Sequence, residues 1–134
     1  RHFMSELRAL IIDDNAMDAA ILRSLLDRLE VAYDVLPDSR QIDSALDAIP
    51  QPNIIFLDLE MPGLDGYMVL ETIQAHPDFA AVPVVAYTAN SAEMLNARNA
   101  GFHSFLGKPL RSSVFSDQLQ RILNNDPVWE VRDM

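Results

Sequence analysis

Four sets of polar residues stand where apolar runs stop. Asp13-Asp14 follows Leu7 to Ile12, Asp58 follows Ile54 to Leu57, Thr88 follows Val82 to Tyr87, and Lys108 follows Phe102 to Leu106. Short apolar runs bounded by turn residues read as strands buried on both faces. In an open α/β sheet the carboxyl ends of parallel strands share one edge, and ligands bind outside it. Three carboxylates, one ammonium and one hydroxyl would therefore meet. Clustered carboxylates repel, and one or more would have a raised pKa if left unaided. A hard divalent cation removes that conflict, and oxygen donors without imidazole or thiolate suit Mg²⁺ or Mn²⁺. Mg²⁺ keeps waters and binds phosphate, so the inventory suits phosphoryl chemistry better than a structural Ca²⁺ site. A carboxylate beside such a cation can attack phosphorus and become an acyl phosphate. Lys108 supplies a second positive charge, and the Thr88 hydroxyl can donate to a phosphoryl oxygen.

Each residue also has an ordinary reading. Asp13-Asp14 can be a solvated turn and helix cap, Asp58 a turn residue, Thr88 a cap or turn hydroxyl, and Lys108 a surface lysine. The conjunction, in strand order and always at a strand's carboxyl end, favours the functional reading.

The intervening segments must position these ends. Asn15 can cap a helix, with Asp18 three residues on in the manner of a capping box. Ile21, Leu22, Leu25, Leu26 and Leu29 keep one apolar face at helical spacing. Ala32 to Leu36 reads as a second strand. Ile42, Ala45, Leu46 and Ile49 mark a second helix that Pro50 and Pro52 stop. After Asp58, the loop Met61-Pro62-Gly63 leads to Leu64-Asp65-Gly66, which opens a third helix ending before Pro77. Ser91 is expected to cap a fourth helix that Gly101 ends in a left-handed conformation. Pro109 would hold the loop after Lys108 and admits a cis bond. Ser112 or Ser113 is expected to cap a fifth helix, on which Phe115, Leu119 and Ile122 share a face. Strict alternation of strand and helix with short loops implies a parallel sheet with helices on both faces.

The chain has 134 residues, 49% of them apolar, enough for one domain with a real core. Mean hydropathy is +0.03 and no apolar run has the length of a membrane span. With no cysteine, disulfides and thiol catalysis are excluded. A formal charge of −10 argues against direct binding to nucleic acid or anionic lipid. It suits a cation or a partner with a basic surface. Residues 1–6 read as an extension, with Arg1-His2-Phe3 before Met4 taken as vector-derived. Residues 7–124 form the expected domain. Residues 125–134 form a tail too short for a further domain, whose Trp129 either docks on this domain, on a dimer mate or on a partner, or stays loosely ordered. With no signal-peptide pattern, the cytoplasm is the default.

The chain resembles the receiver domain of two-component response regulators over about Leu7 to Leu123. The matching motifs are Ile12-Asp13-Asp14-Asn15, Leu57-Asp58-Leu59-Glu60-Met61-Pro62-Gly63-Leu64-Asp65-Gly66, Tyr87-Thr88-Ala89-Asn90, and Gly101 through Lys108-Pro109. The resemblance implies a flavodoxin-like, doubly wound (βα)₅ fold with a five-stranded parallel sheet in the order 2-1-3-4-5. It implies that Asp58 accepts a phosphoryl group from a histidine kinase or histidine phosphotransfer domain. Asp14, Asp58 and the backbone carbonyl of Glu60 would hold Mg²⁺ directly, and Asp13 through water. Thr88 and Lys108 would sense the phosphoryl group, and Phe105 would be the switch aromatic that turns inward. The surface of the fourth helix, fifth strand and fifth helix would then repack to control a downstream protein effector, or to form a homodimer. The module would be a switch rather than a metabolic enzyme, phosphorylating itself and hydrolysing the product slowly. The main rival is a phosphorylation-independent scaffold on the same fold. An aspartyl-phosphate phosphatase of the haloacid-dehalogenase kind fits less well, because Glu60 stands where a second Asp is required. Flavin binding fits less well too, because Asp13-Asp14 would repel a phosphate.

Overall fold

Apolar side chains on both faces of consecutive strands, rather than alternation, decide the architecture. In the computed structural model, which describes residues 6–61 and 65–130, β1 (Arg8–Ile12), β3 (Ile54–Asp58) and β4 (Val84–Thr88) lie inside the sheet. Every residue of β3 and β4 is buried. β2 (Ala32–Leu36) is a partly buried edge, and β5 (Ser104–Gly107) lies beside β4. All pairings are parallel, in the order β2-β1-β3-β4-β5-β6.

Helices α1 (Ala16–Arg28) and α5 (Ser112–Leu123) cover one face. There Leu22, Leu26, Phe115 and Leu119 pack on Ile11, Phe56, Val85 and Tyr87. Helices α2 (Ile42–Ala48), α3 (Gly66–Ala75) and α4 (Met94–Ala100) cover the other, with Leu46, Leu70, Ile73 and Ala97 sharing a core with Ile12, Leu57, Ala86 and Phe105. This is the doubly wound parallel fold expected from the alternation. The flavodoxin-like order of the first five strands is the one the resemblance implies.

Asn15 caps α1, its side chain accepting from the amides of Met17 and Asp18. Asp65 caps α3 through Tyr67 N. Gly66 lies so close to Leu59 that an added Cβ would sit 2.8 Å from its Cδ2. Gly101 ends α4 at φ +106°, as expected. The Lys108–Pro109 bond is cis. The loop residues Pro62, Gly63 and Leu64, like the extension at residues 1–5 and residues 131–134, lie outside the described residues.

Three local expectations are corrected. Asn90, not Ser91, makes the cap before α4, because its carbonyl oxygen reaches Ala92 N (3.1 Å) and opens a 3-10 turn at Ser91–Glu93. Neither Ser112 nor Ser113 caps α5; Arg111 takes that position without a side-chain cap bond, and both serines fall within the helix. β4 begins at Val84 rather than Val82, since Val82 N closes a turn onto Phe79 O.

The sheet also holds a short sixth strand beyond the expected five. β6 (Trp129–Glu130) pairs with β5, Phe105 standing opposite Trp129 and Leu106 opposite Glu130. Of the alternatives open to Trp129, the structure takes docking on the domain itself. Val128 is fully buried, its N–H donates to Ser104 Oγ at 2.9 Å, and its carbonyl accepts from Phe105 N at 2.8 Å. The Arg98 guanidinium of α4 lies 5.2 Å over the Trp129 ring, and Gln118 of α5 donates to Glu130 at 2.6 Å. The strand thus covers an edge that would otherwise present unpaired backbone groups. Val128→Ala is expected to lower equilibrium stability in urea by about 1–3 kcal/mol through lost burial and the cavity left behind. An unchanged midpoint would mean that β6 does not stay docked in solution.

Candidate functional site

The sheet register sets the site. Ile12 stands beside Leu57, and Asp58 beside Tyr87, so Asp13 and Asp58 leave their strands at one level. Thr88 stands beside Gly107, which brings Lys108 over the same edge. Carboxylate oxygens of Asp13, Asp14 and Asp58 lie within 4.8 Å of one another. Asp13 and Asp58 are buried, whereas Asp14 is exposed. With Asn15, Asp18, Glu60 and Lys108, Asp14 and Asp58 line a cleft of about 340 Å³.

Buried carboxylates need donors, and backbone amides supply some. Asn15 N donates to Asp13 Oδ1 at 2.8 Å, and Glu60 N donates to Asp58 Oδ1 at 2.9 Å. Lys108 supplies the charge. Its Nζ lies 2.7 Å from Asp18 Oδ2, 3.2 Å from Asp58 Oδ1 and 3.8 Å from Asp13 Oδ2. Burial alone would lower the lysine's pKa, but the hydrogen bond to Asp18 and the charges of Asp58, Asp13 and Asp18 raise it. The ammonium therefore stays charged. One cation does not compensate the cluster. Burial pushes the Asp58 carboxyl up to about 6, reinforced by Asp13 and opposed by the Glu60 amide and Lys108. A pair of buried acids beside an open third, all oxygen donors, with one of them reluctant to ionise, fits a hard divalent cation.

The remaining expected residues fall in different places. Glu60 lines the cleft and bridges two strand ends, its Oε1 accepting from Ala89 N at 3.4 Å. Thr88 is fully buried; its hydroxyl oxygen accepts from Asn90 N at 3.2 Å, and its carbonyl accepts from Lys108 N at 2.9 Å. Phe105 is not in the cleft. It is fully buried on the sheet face under α2, α3 and α4, beside Trp129. The apolar face and β6 enclose the ring.

Two neighbours were not singled out from sequence. The capping-box spacing of Asp18 predicts that it reaches back to Asn15 N. That amide instead serves Asp13, and Asp18 turns to Lys108. Its place in the first turn of the helix after Asp13-Asp14 was the available signal. Tyr87 ends an apolar strand and opens the motif Tyr87-Thr88-Ala89-Asn90, neither of which marks it as a polar site residue, yet its hydroxyl donates to Asp13 Oδ2 at 2.5 Å.

The receiver-domain family model of response regulators matches residues 9–120. The chain belongs to the response regulator receiver family. Over 123 residues this receiver is 32% identical to the C4-dicarboxylate transport transcriptional regulatory protein DctD of Pseudomonas aeruginosa, matching 90% of the chain and 26% of that protein. It is 30% identical over 128 residues to the peroxide stress-activated histidine kinase mak1 of Schizosaccharomyces pombe, covering 90% of the chain and 8% of the kinase. The receiver thus spans about a quarter or less of these two curated relatives. The chemotaxis protein CheY1 of Helicobacter pylori is 25% identical over 124 residues, with 90% and 99% of the two chains covered. Among solved structures, the receiver domain of a Pseudomonas aeruginosa sensor histidine kinase, with magnesium in its active-site cleft, superimposes with a TM-score of 0.78. It is 26% identical, with 88% of this chain and 98% of that one covered. Chemotaxis response regulator CheY4 of Vibrio cholerae shares the fold, with a TM-score of 0.75 at 18% identity, covering 87% and 98%.

The raised pKa of Asp58 has a signed consequence for stability. Between its ordinary value of 3.8 and about 6, the folded chain binds a proton that the unfolded chain has released. Stability from this group is therefore full below the lower value and is lost as pH rises towards the upper one. In chelator, Asp58→Asn is expected to gain on the parent as pH rises from about 4 to 7, reaching on the order of 2–3 kcal/mol. Urea titrations of both proteins across that range check it; parallel stability curves would mean that Asp58 ionises normally.

Proposed function

We propose that this receiver accepts a phosphoryl group on Asp58 from the phosphohistidine of a histidine kinase or histidine phosphotransfer domain. The observation that carries the reading is the placement of the Lys108 ammonium 3.2 Å from Asp58 Oδ1, in a cleft that Asp14 and Asp58 line and that Asp13 backs. A surface lysine or a solvated acidic turn has no need of that convergence.

An Asp58 carboxylate oxygen forms a bond to phosphorus as the phosphorus–nitrogen bond to the donor imidazole breaks. The bonding pair stays on the imidazole nitrogen, which then takes up a proton. Lys108 stands beside Asp58 to meet the charge brought in by the phosphoryl oxygens. Asp14, Asp58 and the Glu60 carbonyl would hold Mg²⁺, or Mn²⁺ in its place, with Asp13 acting through water, and the cation would offset charge on the transferring group. The magnesium-bearing cleft of the related sensor-kinase receiver supports this assignment. Exposed Met17 and Ile21 on α1 lie next to the cleft mouth and offer an apolar seat for the donor domain.

The added charge, roughly −1.5 to −2, gives the switch its drive. Thr88 would give up its turn contact with Asn90 N and donate to a phosphoryl oxygen. Since Lys108 N is bonded to the Thr88 carbonyl, a shift of either residue is carried into β5. With Phe105 already enclosed, the repacking passes to the surface of α4, β5 and α5, which addresses a downstream protein effector or a second copy of the chain. This reading makes the module a cytoplasmic switch whose only catalysis is its own phosphorylation and slow dephosphorylation. The charge of −10 places protein partners ahead of nucleic acid or membrane.

Intact mass after incubation with Mg²⁺ and acetyl phosphate tests the reading. One phosphoryl per chain is expected, absent in EDTA and absent in Asp58→Asn. Lys108→Met is expected to slow the gain about a hundredfold, the scale for losing a preorganised charge at the reacting group. No gain from acetyl phosphate or from any phosphohistidine donor, with folded protein, would favour the phosphorylation-independent scaffold.

A further inference from the structure

Tyr87 touches two members of the site at once. Its hydroxyl donates to Asp13 Oδ2 at 2.5 Å, and the Lys108 ammonium lies 4.7 Å over its ring. The ring is fixed from behind, edge-on to Phe56 with centroids 6.3 Å apart, and the residue is buried. Burial, then the bond to Asp13, raise the phenol's pKa, so it remains a donor.

We propose that Tyr87 is a positioning residue of this receiver, holding the Lys108 ammonium off Asp13 and on Asp58. The proposal rests on the receiver reading above. Asp13 has two oxygens to satisfy in a side chain that solvent does not reach. Asn15 N takes Oδ1, and the Tyr87 hydroxyl takes Oδ2. The ammonium, at 3.8 Å from Oδ2, therefore contacts Asp13 only from outside hydrogen-bond distance, and stays with Asp18 and Asp58. The ring face gives the ammonium a third, uncharged contact that favours the same place.

Removing the hydroxyl alone leaves a buried carboxylate oxygen without its donor, an arrangement costly enough to recruit the nearest cation. That cation is Lys108. Its move onto Asp13 would withdraw charge from Asp58 and set an ammonium against a carboxylate of the cation site. Both phosphoryl acceptance and Mg²⁺ binding would suffer, and both through the lysine.

The test is a double-mutant cycle of Tyr87→Phe and Lys108→Met, read as the Mg²⁺ dissociation constant by calorimetry and as the phosphorylation rate from acetyl phosphate. Phe keeps the ring on Phe56, and urea titration checks that each variant is folded. In the parent background, Tyr87→Phe is expected to weaken Mg²⁺ binding and slow phosphorylation by about threefold to tenfold each, within the range of coupling between contacting groups. In the Lys108→Met background the same change should alter either quantity less than about twofold. Equal effects in the two backgrounds, or none in the parent, would overturn the proposal and leave Tyr87 a core residue. A parent chain that binds Mg²⁺ but takes up no phosphoryl group would count against the receiver reading instead, and the Mg²⁺ arm would still decide the role of Tyr87.

Discussion

Mutual repulsion among carboxylates at the carboxyl edge of the sheet is the constraint on which the rest of this structure depends. Asp13 and Asp58 are buried and share an edge with Asp14 within 4.8 Å. A fold stable by only a few kcal/mol in net terms tolerates such a cluster only if each charge meets a donor or is lost to a proton. The surrounding elements answer in turn. The turn after β1 gives an amide to Asp13, the turn after β3 gives one to Asp58, and β5 is followed by the lysine whose ammonium reaches Asp58 and Asp18. The helix after β1 starts at once, capped by Asn15, and the helix after β3 is capped by Asp65. The caps and the site are thus one arrangement.

The same economy appears at the far edge of the sheet. β5 lies between the site and the α4–α5 surface, and β6 closes it. Trp129 stands opposite Phe105, Arg98 lies over Trp129 from α4, and Gln118 meets Glu130 from α5. Each contact is modest, but together they tie three elements to one short strand. Phe105 is enclosed as a consequence, so the ring is not free to move independently of β6. Arg98 of α4, Gln118 of α5 and β5 all meet this one strand, so displacing it would disturb both helices.

Much of this was legible in the sequence, for identifiable reasons. Continuous apolar runs at Ile54 to Leu57 and Val84 to Tyr87 mark strands buried on both faces, because helices on either side leave no polar face to alternate with. β2 was legible to the residue, at Ala32–Leu36. The carboxyl-edge placement of Asp13, Asp14, Asp58 and Lys108 followed from strand ends alone. What was not legible depends on choices among near-equal donors and acceptors. Asn90 and Ser91 are both good caps, and the backbone chose Asn90, which opens the 3-10 turn before α4. Asp18 satisfies the spacing of a capping box, but Asn15 N already serves Asp13, so its carboxylate turned to Lys108. Two residues of β6 are too few for any periodicity; only contacts distant in the chain define that strand. Tyr87 was invisible as a polar residue because its ring belongs to the core that hides it.

Burial of Asp58 has two opposite consequences, and the site is their compromise. A dry carboxyl resists ionisation, and the metal-free fold loses stability at neutral pH for keeping it charged. The same dryness strengthens every charge interaction a phosphoryl group would meet there. A fully exposed aspartate would cost the fold nothing and would leave Lys108 screened by water. A buried one without Lys108 would favour its protonated form still more. The ammonium, 3.2 Å from Asp58 Oδ1, opposes the effect of burial on that carboxyl, and Asp14 lines the cleft beside it. The lysine's position is therefore more consequential than its mere presence. That position is bounded by Asp18 on one side and the face of Tyr87 on another.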